Sequence, residues 1–266
     1  MSQNIYDSIP FFESYSKYPR MEKGLAGASE WPLLETMLPP SLVSKTVLDL
    51  GCGDGWFSRW ALDQGAKAVC AMDVSKNMLS RARALSPPDQ YSGITFRQVD
   101  MDIEVLSEKL DPEEEAAYDV AFSGLALHYL VNLEAALRQV FRSLSPGGLF
   151  VFSVEHPIFT APQRPGFNKK TGAGAAQGQQ DWPLSSYFAE GEREVNWLGA
   201  PVRKQHRTIS SYLKALRTVG FEVVVVDEWG VSEDDSRKHP DWPNDGGIPR
   251  FLLISAMKRV DAADSL

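Results

Sequence analysis

The chain of 266 residues is 43% hydrophobic and 23% charged, enough apolar content for a full core, which excludes a disordered or fibrous protein. Its 35 acidic side chains against 27 basic ones give a net charge of −8, a balance that repels phosphate backbones and argues against nucleic acid as a partner. Cys52 and Cys70 are too few for a disulfide framework or a zinc cluster, the first residues lack a secretory-signal pattern, and no apolar stretch is long enough to cross a membrane, so the expectation is a soluble cytoplasmic protein.

Residues 1–45 are rich in Tyr, Phe and Pro and precede any strand signal. Thr46 to Leu50 is a short β-rich run ending in Gly51, and an amphipathic stretch with Phe57, Trp60 and Ala61 on one face follows. Lys67 to Asp73 is a second apolar run, and Asn77 to Leu85 reads as helix until Pro87-Pro88 stops it. Ile94 to Val99 and Tyr118 to Ser123 are the next strands. Leu133, Leu137, Val140, Phe141 and Leu144 recur at helical spacing as far as the breaker Ser145-Pro146-Gly147-Gly148, and Leu149 to Val154 is a fifth strand. Ile209, Tyr212, Leu213 and Leu216 mark a later helix closed by Gly220, before two last strands, Phe221 to Val226 and Phe251 to Ala256. The rhythm predicts an α/β fold, a Rossmann-like doubly wound sheet of seven strands, parallel where helices intervene and buried on both faces.

Residues 157–206 break that rhythm with five prolines, the Gly/Ala/Gln tract from Gly172 to Gln180, and the aromatics Phe159, Phe167, Trp182, Tyr187, Phe188 and Trp197. The tract reads as disordered on composition, and its aromatic flanks read as packed. The resulting division is an arm (1–45), a core (46–156), an insertion (157–206), the completion of the sheet (207–260) and a tail (261–266).

Val47-Leu48-Asp49-Leu50-Gly51-Cys52-Gly53-Asp54-Gly55 is a strand entering a glycine turn with a helix beyond it, the geometry of nucleotide pockets in open α/β sheets. The dinucleotide fingerprint requires a sixth-position Gly, where this chain has Trp56, and a P-loop would require Gly-Lys-Ser/Thr. Gly-x-Gly-x-Gly suits a ligand without a pyrophosphate, and Asp54 favours an ammonium-bearing one.

The segment resembles motif I of the class I S-adenosylmethionine-dependent methyltransferases, and later landmarks keep the register. Asp73 ends the second strand, 22 residues after Gly51; Val99-Asp100-Met101 ends the third; Tyr118-Asp119-Val120-Ala121-Phe122-Ser123 resembles motif II; Leu144 to Gly148 resembles the turn before strand five. The closest likeness is to small-molecule enzymes of the ubiquinone/menaquinone-biosynthesis type. The resemblance implies S-adenosyl-L-methionine as cofactor, with Asp73 on the ribose hydroxyls and Asp100 with Met101 at the adenine. It also places Asp49, Gly51, Cys52, Gly53, Val74, Met78, Asp102 and Ser123 at the cofactor, with Tyr15 and Arg20 of the arm reaching its carboxylate. Trp56 and Phe57 are expected to serve the core.

The implied reaction is methyl transfer to a small-molecule acceptor, at oxygen of a partly apolar or aromatic metabolite. An alcohol or phenol must lose its proton, and two histidines follow strand ends at the ligand edge: His128 and, leading into the aromatic insertion, His156. His156 is the favoured base, with Glu155 either orienting it or solvated. His206 and His239 lie at the end of the insertion and in a charged loop; no histidine or cysteine pair has metal-ligand spacing, so no metal is expected. The arm and the insertion are expected to form a lid. A NAD(P)-dependent oxidoreductase and a non-catalytic S-adenosylmethionine-binding regulator are the alternatives, and the oligomeric state is not written in the sequence.

Overall fold

The computed structural model describes residues 3–103, 116–163, 166, 168–169, 180–238 and 247–259. Its first five strands are β1 (Thr46–Leu50), β2 (Ala68–Asp73), β3 (Ile94–Gln98), β4 (Tyr118–Gly124) and β5 (Leu144–Glu155). The insertion contributes a two-residue pair, β6 (Asn168–Lys169) with β7 (Gln180–Asp181), and a hairpin, β8 (Gly191–Trp197) with β9 (Ala200–His206). After β10 (Phe221–Trp229) and β11 (Phe251–Lys258), the main sheet has seven strands in the order β10-β11-β5-β4-β1-β2-β3.

The near-continuous burial of β1 and β2 follows from helices on both faces of the sheet. Leu48 and Leu50 pack against the helices Leu133–Ser143 and Ile209–Val219, while Val47 faces the opposite layer with Trp31, Leu34 and Phe57. Alternate residues of one strand thus feed two cores. Thr208 caps the Ile209–Val219 helix by accepting from Ser211 N, and Gly220, at φ 112°, ends it in the left-handed conformation its sequence predicts.

The sheet is not wholly parallel, because β11 runs antiparallel to both β10 and β5. Among the described residues, the connection from β10 to β11 carries one short helix, Glu233–Lys238, and returns to the edge it left instead of crossing the sheet. The start of β11 therefore arrives at the carboxyl ends of β1, β4 and β5. A second departure concerns the breaker at Ser145 to Gly148. Tyr118 pairs with Leu144 and Val120 with Leu149, so these four residues bulge out of a strand that begins where the helix ends.

The arm forms the helices Ile9–Tyr15, Pro19–Lys23 and Trp31–Thr36. Asp7 anchors it to the helix Lys76–Ala84, with Oδ1 accepting from Ser75 Oγ at 2.7 Å and Asn77 N at 3.1 Å. Trp197, closing the β8–β9 hairpin, meets the rings of Phe11, Tyr15 and Tyr18 edge-on at 5.5, 5.5 and 5.9 Å. Arm and insertion, remote in sequence, thus pack on each other. His206 fastens the hairpin's far end, its ring bonded to Thr160 Oγ1 and the Tyr187 carbonyl at 2.8 Å each. Residues 172–179 of the Gly/Ala/Gln tract, Phe167, His239 and the tail lie outside the described residues. Among the described residues, no helix is long and apolar enough to cross a membrane.

Candidate active site

A cavity of about 680 Å³ opens where the arm, the hairpin and the carboxyl edge of the sheet meet. Thirteen of the residues singled out in the sequence border it: Tyr15, Arg20, Asp49, Gly51, Cys52, Gly53, Asp73, Val74, Met78, Asp100, Met101, Asp102 and His128. His156 and Ser123 do not.

The glycine turn is built by the backbone. Gly51 N and Cys52 N both donate to the Met72 carbonyl, which binds the loop to the end of β2. Gly51 sits at φ +69°, and a Cβ there would fall 2.4 Å from the Ala126 Cβ. Gly53, at φ +55°, has the opposite surroundings: a Cβ would meet nothing within 4 Å, which leaves a hollow beside the loop for a ligand. Asp73 closes that hollow, one carboxylate oxygen accepting from Gly53 N at 2.9 Å and the other from Ser75 N at 2.8 Å. Burial pushes its pKa up to about 6 against the pull of those N–H groups. Burial also lifts Asp49 to about 7, although Ser58 Oγ donates to it at 2.6 Å.

Asp54 also borders the cavity, 3.5 Å from Arg81 and 4.0 Å from Arg59, and its buried Oδ1 has no hydrogen-bond partner. Asp102 lines the cavity with its carboxylate turned to the N–H groups of Val131 and Asn132, at 3.1 and 2.9 Å, and Asp100 accepts from Asp102 N. From the arm, Arg20 Nη2 grips both oxygens of buried Glu30 at 2.7 and 2.8 Å, while its buried Nη1 has no hydrogen-bond partner. The residues present fit a ligand with a diol and a carboxylate: a carboxylate at the open hollow, and an unmatched cationic donor across from it.

The histidines fall differently from expectation. His156 stands behind the cavity wall, its Nδ1 accepting from Ile158 N at 3.2 Å and its Nε2 2.6 Å from Glu228 Oε1. Its place before Pro157 makes it the cap of the helix Pro157–Thr160, which turns the ring away from the ligand edge. Glu155 is not its partner but pairs with Lys204 at 2.5 Å. His128 does border the cavity, yet its Nδ1 accepts from Glu155 N at 3.3 Å, which leaves the proton of the neutral ring on Nε2. Burial drives its pKa down to about 3. Ser123 Oγ donates to the Leu50 carbonyl at 2.9 Å and ties β4 to β1. Phe57 stacks on Phe122 in the core, Trp56 joins that aromatic group, and both also border the cavity.

The far wall is made of Tyr129, Glu155, Arg203, Trp229, Arg250 and Phe251, of which sequence reasoning gave a candidate role to Glu155 alone. Arg250 and Phe251 arrive there only because β11 is reversed. Tyr6 and Tyr129 join arm to core, their hydroxyls 3.2 Å apart.

A Rossmann-like sheet with an acidic hollow at its glycine turn defines a protein that binds a nucleoside-bearing cofactor. Residues 48–152 match the family model for a methyltransferase domain. The chain is 41% identical to an S-adenosylmethionine-dependent methyltransferase from Mesorhizobium loti, whose crystal structure superposes with a TM-score of 0.77 over 88% of this chain and 100% of that one. It is 31% identical over 96% of its length to an uncharacterized protein of Haemophilus influenzae, covering 97% of that protein. A malonyl-[acyl-carrier protein] O-methyltransferase of Erwinia billingiae is 39% identical over 107 residues, 40% of this chain and 38% of that enzyme. The chain belongs to the class I S-adenosylmethionine-dependent methyltransferases. It is a methyltransferase with S-adenosyl-L-methionine as its cofactor, and the oxidoreductase reading is set aside.

Proposed function

We propose that this enzyme, working in the cytoplasm, moves the methyl group to an oxygen of a small, partly apolar acceptor bound between the glycine loop and the aromatic far wall. The observation that carries the reading is the shape of the cavity. Its 680 Å³ exceeds what one ligand of the cofactor's size fills, and its far wall carries Tyr129, Trp197, Trp229 and Phe251. The net charge of −8 favours a small molecule over nucleic acid. The malonyl-[acyl-carrier protein] O-methyltransferases support oxygen as the receiving atom.

When bound, the cofactor supplies a methyl group already activated on a sulfonium. In this reading Asp73 accepts hydrogen bonds from the ribose hydroxyls while Gly53 lets the ligand lie against the backbone. Arg20, oriented by Glu30, offers Nη1 to the cofactor's carboxylate. Asp100 and Met101 border the adenine, with Val74 and Met78 packing beside it. The arm and the hairpin, joined through Trp197, exclude water from the sulfonium as a lid would. His128, a neutral donor at Nε2, orients the acceptor and is not its base.

Calorimetry with S-adenosylhomocysteine and with NAD tests the cofactor half of the reading. Asp73→Ala is expected to weaken S-adenosylhomocysteine by about 1–3 kcal/mol, or roughly 5- to 150-fold, because a diol donor pair loses its acceptor. Parental affinity in that variant would remove Asp73 from the pocket. Mass spectrometry of a metabolite pool incubated with enzyme and cofactor, searched for the gain of one CH2, identifies the acceptor.

A further inference from the structure

The turn that carries Asp73 is held from outside the core. Ser75, wholly buried, stands at the centre of the arrangement. Its N–H donates to Asp73 Oδ1 at 2.8 Å, and its hydroxyl oxygen accepts from Met78 N at 3.1 Å, capping the helix Lys76–Ala84. The single hydroxyl proton goes to Asp7 Oδ1, 2.7 Å away and 68 residues earlier in the chain. Asp7 Oδ1 also accepts from Asn77 N at 3.1 Å, and Oδ2 from Asn4 Nδ2 at 2.6 Å. Burial would raise the pKa of Asp7, but these hydrogen bonds and one from Lys76 N outweigh it and hold the carboxyl below its usual range. The arm thus supplies a charged acceptor to the first turn of a core helix, where a negative charge is favoured.

Asp73 depends on that turn. Each of its oxygens takes one backbone N–H, from Gly53 and from Ser75, which fixes the plane of the carboxylate and leaves a further lone pair on each oxygen. The orientation of that plane decides whether two adjacent hydroxyls are both met. The arm has other attachments as well. Gln3 donates through Nε2 to the Pro201 carbonyl at 2.9 Å and accepts at Oε1 from Arg203 N at 2.6 Å, and the Tyr6 and Tyr129 hydroxyls are 3.2 Å apart. Loss of the Asp7 carboxylate leaves these in place, so its effect on a ligand can be separated from release of the arm.

We propose that Asp7 is a positioning residue for the cofactor: through the Ser75 hydroxyl it sets the turn from which Asp73 presents its carboxylate to the ribose diol. The proposal rests on the reading that Asp73 accepts the ribose hydroxyls. Neither Asp7 nor Ser75 borders the cavity, so both act through Asp73 and not by touching the ligand. The coupling is reciprocal: whatever factor the docked arm adds to cofactor affinity, the bound cofactor adds to docking of the arm.

The experiment titrates S-adenosylhomocysteine and its 2′,3′-dideoxy analogue, which keeps the base, thioether and amino acid and lacks the diol, into the full chain by calorimetry. Asp73→Ala is expected to lose affinity for the first ligand and to hold the second within about twofold. Asp7→Ala should repeat that pattern, losing about fivefold or more for S-adenosylhomocysteine and less than about twofold for the analogue. Retained binding of the analogue also shows that the variant is folded. Ser75→Ala, which cuts the same path at its middle, gives the comparison if Asp7→Ala does not fold. The double variant should lose no more than the larger of the two single losses, because both changes interrupt one path. A purely structural role for Asp7 predicts equal losses for both ligands. That result, parental affinity of Asp7→Ala for S-adenosylhomocysteine, or additive losses in the double variant would overturn the proposal while leaving the pocket assignment intact. If Asp73→Ala itself treats the two ligands alike, the ribose reading fails, and the proposal with it.

Discussion

At the glycine-loop end of the cavity, Gly53, Asp73 and Ser75 hold one another through backbone N–H groups, all between residues 53 and 75. At the far end, Tyr129, Glu155, Trp197, Arg203 and Arg250 come from separate segments between residues 129 and 250, where Glu155 pairs with Lys204 and Lys204 Nζ lies 5.2 Å from the Trp197 ring centroid. The near end is fixed by backbone geometry that tolerates little change. The far end is an assembly of packed rings and one buried ion pair, and such an assembly can be retuned one residue at a time. An enzyme built this way keeps one cofactor and is free to vary its acceptor.

The sharpest way to break the contrast is at the backbone. Gly51→Ala would set a Cβ 2.4 Å from the Ala126 Cβ at φ +69°, and it is expected to cost about 2–4 kcal/mol in denaturant unfolding. A loss below about 1 kcal/mol would show that the loop adapts and that the near end is not rigid.

His128 gives the next effect, through pH. An unfolded histidine takes its proton near its ordinary value of about 6.5, whereas the folded ring does so only near 3. The stability this confers is complete above the unfolded value and is lost as pH falls toward the folded one, by about 2 kcal/mol between neutrality and pH ~5. Asp49 and Asp73, with raised values, act in the opposite sense, so the difference between wild type and His128→Gln isolates the histidine. Identical pH profiles of unfolding for the two proteins would place His128 in contact with water.

Trp197→Ala removes three edge-on ring contacts and a cation–π contact from Lys204, 5.2 Å from the ring centroid. The expected loss is about 1–2 kcal/mol, with faster protease cleavage around Phe11 to Tyr18. An arm as resistant as the parent's would mean that the contacts of Asp7 and Tyr6 with the core anchor it without Trp197.

The smallest expected effect is His156→Ala. It unpairs Ile158 N and Glu228 and should lower stability by about 1 kcal/mol while turnover stays within about threefold. A hundredfold fall in turnover would restore His156 as the base.

The sheet, its flanking helices and the hollow beside Gly53 were legible in the sequence because each depends on local rules. Buried strands read as unbroken apolar runs, a left-handed turn asks for glycine, and a carboxylate ending β2 sits opposite the turn that β1 makes. The resemblance to a known motif could be read for the same reason, since residues 48–152 are contiguous. The far wall was not legible, and His156 shows why. Its place after a strand end fixes the edge it stands on but not the direction of its ring, which was settled by Ile158 N and by Glu228, 72 residues away. Arg250 was invisible until β11 proved antiparallel, because strand direction depends on where a connection returns and not on the composition of the strand. Glu155 found Lys204, 49 residues further on, because only a cation could offset its burial there. Local backbone rules determined the fold and the cofactor end; the acceptor end was decided by which distant side chains the tertiary structure brought close enough to satisfy one another.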